Sequence, residues 1–198
     1  MIENPILIDL PMPIITPRLQ IRPRQSGEGH IIAKAINESL EHLKPWMPFA
    51  QKPADELEAE IFCRKCLSDF IARKDFVLSI YNREGTEFIG STGFHRPNWD
   101  VPSLHVGYWI RKGYEGQGFI GETVNALTRY AFGVICVNRL EIRCDSRNKK
   151  SLAVMRKLGF NEEALLRNED RAEDGSLRDT LVTARYDLLG LPELDVRW

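Results

Sequence analysis

Three glycines, Gly116, Gly118 and Gly121, fall in the stretch Gly113-Tyr-Glu-Gly-Gln-Gly-Phe-Ile-Gly-Glu122, where a run rich in β-formers ends and a helix-like run begins. The first turn of a helix carries backbone N–H groups with no internal partner and partial positive charge, so such a junction can hold phosphate oxygens without a basic side chain. Glycine lets a ligand approach that backbone closely, although the same cluster also suits a plain tight turn. No Gly-Lys-Ser/Thr follows, so the loop is not of Walker type. Its place past the middle of the chain does not suit the dinucleotide fingerprint of a first βα turn.

Thiol chemistry is less promising. Cys63 and Cys66 form a C-x-x-C, but Leu57, Ile61, Phe62, Cys66 and Phe70 follow helical spacing, which reads as core or half-buried thiols. Cys136 and Cys144 are separated unlike paired zinc knuckles, so no metal is expected. Four cysteines in 198 residues do not make a disulfide framework. With 43% hydrophobic and 28% charged residues the composition is that of a soluble globular protein. A net charge of -1 argues against a general nucleic-acid or membrane-surface binder. The stretch from Met1 to Ile15 has neither the basic head nor the long apolar run of a signal peptide, and no membrane span is evident, so a cytoplasmic protein is expected.

The elements that would position the loop can be read in order. Thr16 to Arg22 alternates as a first strand. Ile32, Ile36, Leu40 and Leu43 mark a helix closed by Pro45, and a second helix opens at Pro53. Between them Lys44-Pro-Trp-Met-Pro-Phe49 sets large apolar groups among prolines, a loop that either lines a binding cleft or plugs a core edge. Asp75 to Tyr81 and Glu87 to Phe94 read as a β-hairpin, His95 to Ser103 as a turn and 104 to 110 as the next strand. After the glycines, Ile120, Val124, Leu127 and Ala131 trace a helix face. A strand at 139–144, a helix at 148–158 and two closing strands around Asp174-Gly175 complete the chain. The order predicts one α/β domain with a mixed sheet.

Taken together, these elements and a set of short motifs resemble the GCN5-related N-acetyltransferases (GNAT), in particular the RimJ/RimL type that acetylates N-terminal amines of ribosomal proteins. The motifs are Thr16-Pro-Arg-Leu, Phe88-Ile-Gly90, Gly107-Tyr-Trp-Ile110, Tyr114-Glu-Gly-Gln-Gly118 with Glu122, Asn148-x-x-Ser151, Lys157-Leu-Gly-Phe160 and Asp179. The resemblance implies a mixed, mostly antiparallel sheet of about seven strands flanked by helices on both faces. That domain would span 16–190, between an N-terminal extension at 1–15 and a tail at 191–198. It implies acetyl-CoA as cofactor and a primary amine as acceptor, most simply a protein N-terminus. Polyamine or aminoglycoside acetylation and a non-catalytic acyl-CoA-binding module are the alternatives. No direct nucleic-acid or membrane partner is implied, and the chain is expected as a monomer or homodimer.

By the same resemblance, Gly116, Gln117, Gly118, Ile120 and Gly121 hold the pyrophosphate through the main chain, Ile110 holds the pantetheine arm, and Asn148 lies by the cofactor. Ser151 falls at the position of a proton donor for the leaving thiolate. His105 stands two residues before Gly107, where many relatives carry a glutamate base, with Asp179 as the next candidate. Trp46, Met47, Phe49, Trp99 and Asp179 are expected along the acceptor site. Glu115 and Ile120 depart from the family's loop pattern. His30, His42 and His95 have no motif behind them and are expected as ordinary surface or turn residues. The acidic run Glu162, Glu163, Glu169, Asp170, Glu173 and Asp174 is either a solvated face or a lure for cationic acceptors.

Overall fold

A computed structural model describes residues 2–172 and 175–198. Apolar alternation sets the first long strand, β2 (Leu19–Pro23), whose Leu19 and Ile21 are fully buried. It pairs with a two-residue strand, β1 (Ile14–Ile15), and with β3 (Phe76–Asn82), which continues antiparallel to β4 (Phe88–Asn98) and β5 (Ser103–Ile110). After the helix α4 (Phe119–Tyr130), β6 (Arg139–Asp145) joins β5 in parallel, and β8 (Leu177–Arg185) separates β6 from β7 (Asn161–Arg171). The result is one eight-stranded mixed sheet in the order β1-β2-β3-β4-β5-β6-β8-β7. The strand beyond the expected seven is β1, hidden in what reads as an extension.

Helices cover both faces. On one, α1 (Gly29–Glu38), α2 (Leu40–Leu43) and α3 (Glu56–Ile71) bury Ile32, Ala35, Leu43 and Cys63 against Tyr81, Phe88 and Trp109. On the other, α4 and α5 (Lys149–Lys157) pack Val124, Leu127, Tyr130 and Met155 against Ile80, Leu104, Val106 and Leu140. The helix expected through Leu43 is interrupted at Ser39, whose hydroxyl donates back to the Ala35 carbonyl at 2.6 Å. Helix α3 starts at its Asp55 cap, which accepts from the Glu58 N–H at 2.9 Å. The turn expected from His95 is shorter than read, because β4 runs on to Asn98 and so places His95 in a strand. Both ends are tied to the domain. Ile15 and Arg197 exchange backbone hydrogen bonds at 2.7 and 2.9 Å, and Trp198 packs edge-on against Tyr130. The turn read at Asp174-Gly175 lies partly outside the described residues, as do the Glu173 and Asp174 members of the acidic run. No described helix is long and apolar enough to cross a membrane.

One irregularity prepares a site. The parallel ladder between β5 and β6 has only Ser103/Arg139, Leu104/Leu140 and His105/Glu141 in register. Beyond those pairs Val106–Ile110 and Ile142–Asp145 part company, and the sheet opens at the carboxyl ends of both strands. The glycine loop follows one of these ends and the start of α5 follows the other.

Candidate active site

The glycine loop is shaped by residues that face away from its ligand side. Gly113, Gly116 and Gly118 have φ of +93°, +73° and +81°, a region in which a side chain is strained, and Gly118 caps α4. A Cβ at Gly116 or Gly121 would meet nothing within 4 Å, so the loop presents bare backbone on that side. From behind, Glu122 accepts from the Thr16 hydroxyl (2.6 Å), the Arg18 N–H (3.1 Å) and Arg18 Nε (2.6 Å). Arg18 Nη1 holds the Gln117 carbonyl at 2.9 Å, with its guanidinium over the Phe119 ring. The motif Thr16-Pro-Arg therefore braces the loop on Glu122. Gln117 also donates Nε2 to the Gly113 carbonyl at 2.7 Å, so its side chain stabilises the turn.

A cavity of about 720 Å³ lies between this loop and the start of α5. Gly116, Gly118, Ile120 and Gly121 form one wall, Asn148, Lys149, Lys150 and Ser151 the other, with Ile110 between them. Glu115 would set a negative charge beside a phosphate site, but Lys150 Nζ engages it at 2.8 Å and holds its carboxyl below the usual range. The Ile110 carbonyl is met by His42 Nε2 at 2.9 Å, so His42 is a lining residue and not a surface one.

A second cavity of about 600 Å³ lies between α3 and the sheet, walled by Met47, Phe49, Phe62, Arg24 and His95. The two share Trp46, Met47, Tyr108, Trp109, Asn148 and Ser151, so they meet where the sheet has opened. At that meeting the Tyr108 and Ser151 hydroxyl oxygens are 2.6 Å apart. Ser151 is fixed by the α5 cap, its N–H donating to Asn148 Oδ1 at 3.1 Å. Burial pushes the Tyr108 phenol up to about 12, against the opposing Ser151 hydrogen bond, so it stays protonated at neutral pH.

The histidines are placed differently from the sequence reading. His95 Nδ1 meets Asp75 Oδ1 at 2.8 Å, and its ring lies over Gly93 and Gly107, where an added Cβ would come within 3.2 and 3.1 Å of ring atoms. His95 lines the second cavity. His105, directly opposite it on β5, lines neither cavity and lies 3.4 Å from Glu141 Oε1. Glu141 is itself gripped by Arg139 and Arg143. Burial pushes the His105 imidazole down, with Glu141 opposing and the nearby arginines adding to the shift. Two further expectations fall away from the cavities. Trp99 packs edge-on against Phe76. Asp179 accepts from the Asn168 N–H at 2.9 Å through its side chain and from the Ser146 N–H through its carbonyl. Trp46, Met47 and Phe49 of the proline-rich loop line the second cavity.

Tyr108 escaped the sequence reading as a site residue although it stands in Gly107-Tyr-Trp-Ile110. Lys150, His95 and Arg24 carried no signal beyond their types. Cys63 and Cys66 are buried thiols pushed up to about 11 by burial, and no three His, Cys, Asp or Glu side chains among the described residues converge as a metal site.

The chain is 32% identical over 95 residues to the N-acetyltransferase p20 of Bacillus licheniformis, covering 48% of this chain and 53% of that protein, about half its length. It is 23% identical over 173 residues to the [ribosomal protein uS5]-alanine N-acetyltransferase of Escherichia coli K12, covering 86% of this chain and 89% of the relative. RimJ of Mycobacterium smegmatis, solved in complex with CoA-disulfide, shares the fold with a TM-score of 0.78 at 22% identity, over 91% of this chain and 88% of that one. The acetyltransferase (GNAT) domain matches residues 18–161, a span that holds the braced glycine loop, the opened sheet and Ser151, and on that match the chain belongs to the GNAT acetyltransferase family.

Proposed function

We propose that the protein transfers the acetyl group of acetyl-CoA to a primary amine, and that this amine is a protein N-terminus. The observation that carries the reading is the pair of cavities meeting at Tyr108 and Ser151: one has a bare-backbone cradle fit for pyrophosphate, and the other is large enough for a peptide end. Bound acetyl-CoA supplies an activated thioester. The chain's own residues then have three tasks: to hold the cofactor, to take a proton from the amine and to give one to the departing sulfur.

The first task falls to the main chain at Gly116, Gly118, Ile120 and Gly121, with Lys150 offsetting Glu115. Ser151 Oγ gives the proton and takes one from Tyr108 Oη, and the phenol regains its proton from solvent once the thiol product has left. His95 Nε2 takes the amine proton, because that imidazole faces the acceptor cavity and Asp75 orients its other nitrogen. This moves the base from His105, which is turned toward Glu141. A relative named [ribosomal protein uS5]-alanine N-acetyltransferase supports the choice of a protein acceptor. The acidic run gives little support to a cationic small molecule, because Arg156, Arg139 and Arg178 pair with Glu162, Glu163 and Asp170. The test is acetyl-CoA consumption with N-terminal peptides, polyamines and aminoglycosides. Faster turnover of the latter two would overturn the acceptor, and no turnover with any amine would overturn the enzyme.

A further inference from the structure

Arg24 follows directly on β2 and is 3% exposed, yet it lines the second cavity. Its Nη2 donates to Ser91 Oγ at 2.7 Å, and Ser91 passes its own hydrogen to the Leu78 carbonyl at 3.0 Å. Nε is buried with no partner, and no carboxylate lies within ion-pairing distance of Arg24 among the described residues. Glu28, the acid whose charge acts on Arg24, is already committed to Arg22 (2.5 Å), the Tyr81 hydroxyl (2.7 Å) and the Gln25 N–H (2.8 Å). The neighbouring Cys63 and Cys66 thiols, held up near 11, are neutral at pH 7. Asp55 and Glu58 also line the cavity, but from the exposed first turn of α3, and Asp55 caps that helix.

A guanidinium taken out of water without a counter-charge is costly, and an anion delivered into the same cavity relieves that cost. We infer that Arg24 is the anion anchor of the acceptor cavity and that the acceptor carries a carboxylate close to its amine. A planar fork suits a carboxylate in two-point contact, and the face of Phe62 beneath it restricts its tilt. The geometry sets the reach. Ser91 and His95 lie four residues apart on the same face of β4, so the anion and the reacting amine are separated by on the order of 10 Å. That span fits the first two residues of a peptide or one small amino compound. The inference rests on the reading of this cavity as the acceptor site, and it asks which acceptors fit.

Binding of acetylated products tests it without any turnover. Calorimetry on the full chain with CoA present would compare two matched pairs. N-acetyl-Ala-Glu-amide against N-acetyl-Ala-Gln-amide reports a peptide side-chain carboxylate, and N-acetylalanine against N-acetylalaninamide reports the carboxylate of a small acceptor. The carboxylate member of at least one pair should bind wild type roughly tenfold tighter or more. Arg24→Gln should abolish that preference and Arg24→Lys retain part of it, with circular dichroism confirming the fold. Equal binding within both pairs in wild type, absence of binding included, overturns the anchor, and so does a preference that survives in Arg24→Gln. Acetylation of the free-amine forms is scored separately, so an inactive enzyme and an unselective cavity give different results.

Discussion

The hydroxyl oxygens of Tyr108 and Ser151 lie 2.6 Å apart, joining a strand of the opened sheet to the first turn of α5 where the two cavities meet. If they form one proton path, Ser151→Ala should lower kcat by about 10²-fold with little change in KM for acetyl-CoA. Tyr108→Phe should cost somewhat less, and the double variant should lose little more than Ser151→Ala alone. Fully multiplicative losses in a steady-state cycle would show that the two act separately.

The phenol of Tyr108, pushed up to about 12 by burial, bears on the alkaline side of the pH profile. A donor whose proton is held this firmly stays intact below that value. kcat should therefore show no alkaline fall between pH 7 and about 10, within the range where the protein stays folded. A descending limb centred below pH 10 in wild type and absent from Tyr108→Phe would contradict the assignment.

His95 and His105 face each other across β4 and β5 but look onto different surroundings. His95→Asn should reduce kcat/KM by about 10²-fold at pH 7, while His105→Asn should leave it nearly unchanged. The reverse ranking, measured with one peptide, would return the proton acceptor to His105.

His105 should be visible in stability instead. Burial holds its folded pKa below the unfolded value, so the unfolded chain binds more protons as pH falls through the region of about 6.5 and below. The His105 contribution to stability is present above the unfolded pKa and is lost as pH falls toward the folded one. Melting temperatures between pH 5 and 8 should therefore rise with pH in wild type, with a shallower slope in His105→Gln. Parallel curves would mean that the imidazole titrates alike in both states.

The cradle predicts a separable defect. Gly118→Asp places a side chain at φ +81° and a negative charge at the mouth of α4, so CoA affinity should collapse while circular dichroism stays native. Lys150→Ala, which removes a cation from an exposed pair, should weaken CoA binding only about fivefold and more at low salt. Undiminished CoA affinity in folded Gly118→Asp would remove the loop from the phosphate site.

Much of this was legible in the chain itself, because it depends on neighbours in sequence. A strand passing to a helix through Gly116, Gly118 and Gly121 is a local event, and the left-handed φ at 116 and 118 is something glycine supplies by itself. The burial of Val124, Leu127 and Ala131 follows from helical period, and the Asn148 cap sets the orientation of Ser151 within one turn. The family motifs lie within the same short spans. The rest depends on distances across the fold. The β4/β5 register, hidden from a reading that starts a turn at His95, puts His95 and His105 on the same face, and Asp75, twenty residues away just before β3, holds the His95 ring over the two glycines. Tyr108 meets Ser151 across 43 residues, beyond the point where the β5/β6 ladder stops at His105/Glu141. Arg24 reads as an ordinary charged residue after Pro23. Its unpaired burial exists only because α3 closes over it while Arg22 takes Glu28. Period and spacing report which face a residue occupies, and packing between distant elements decides what that face meets.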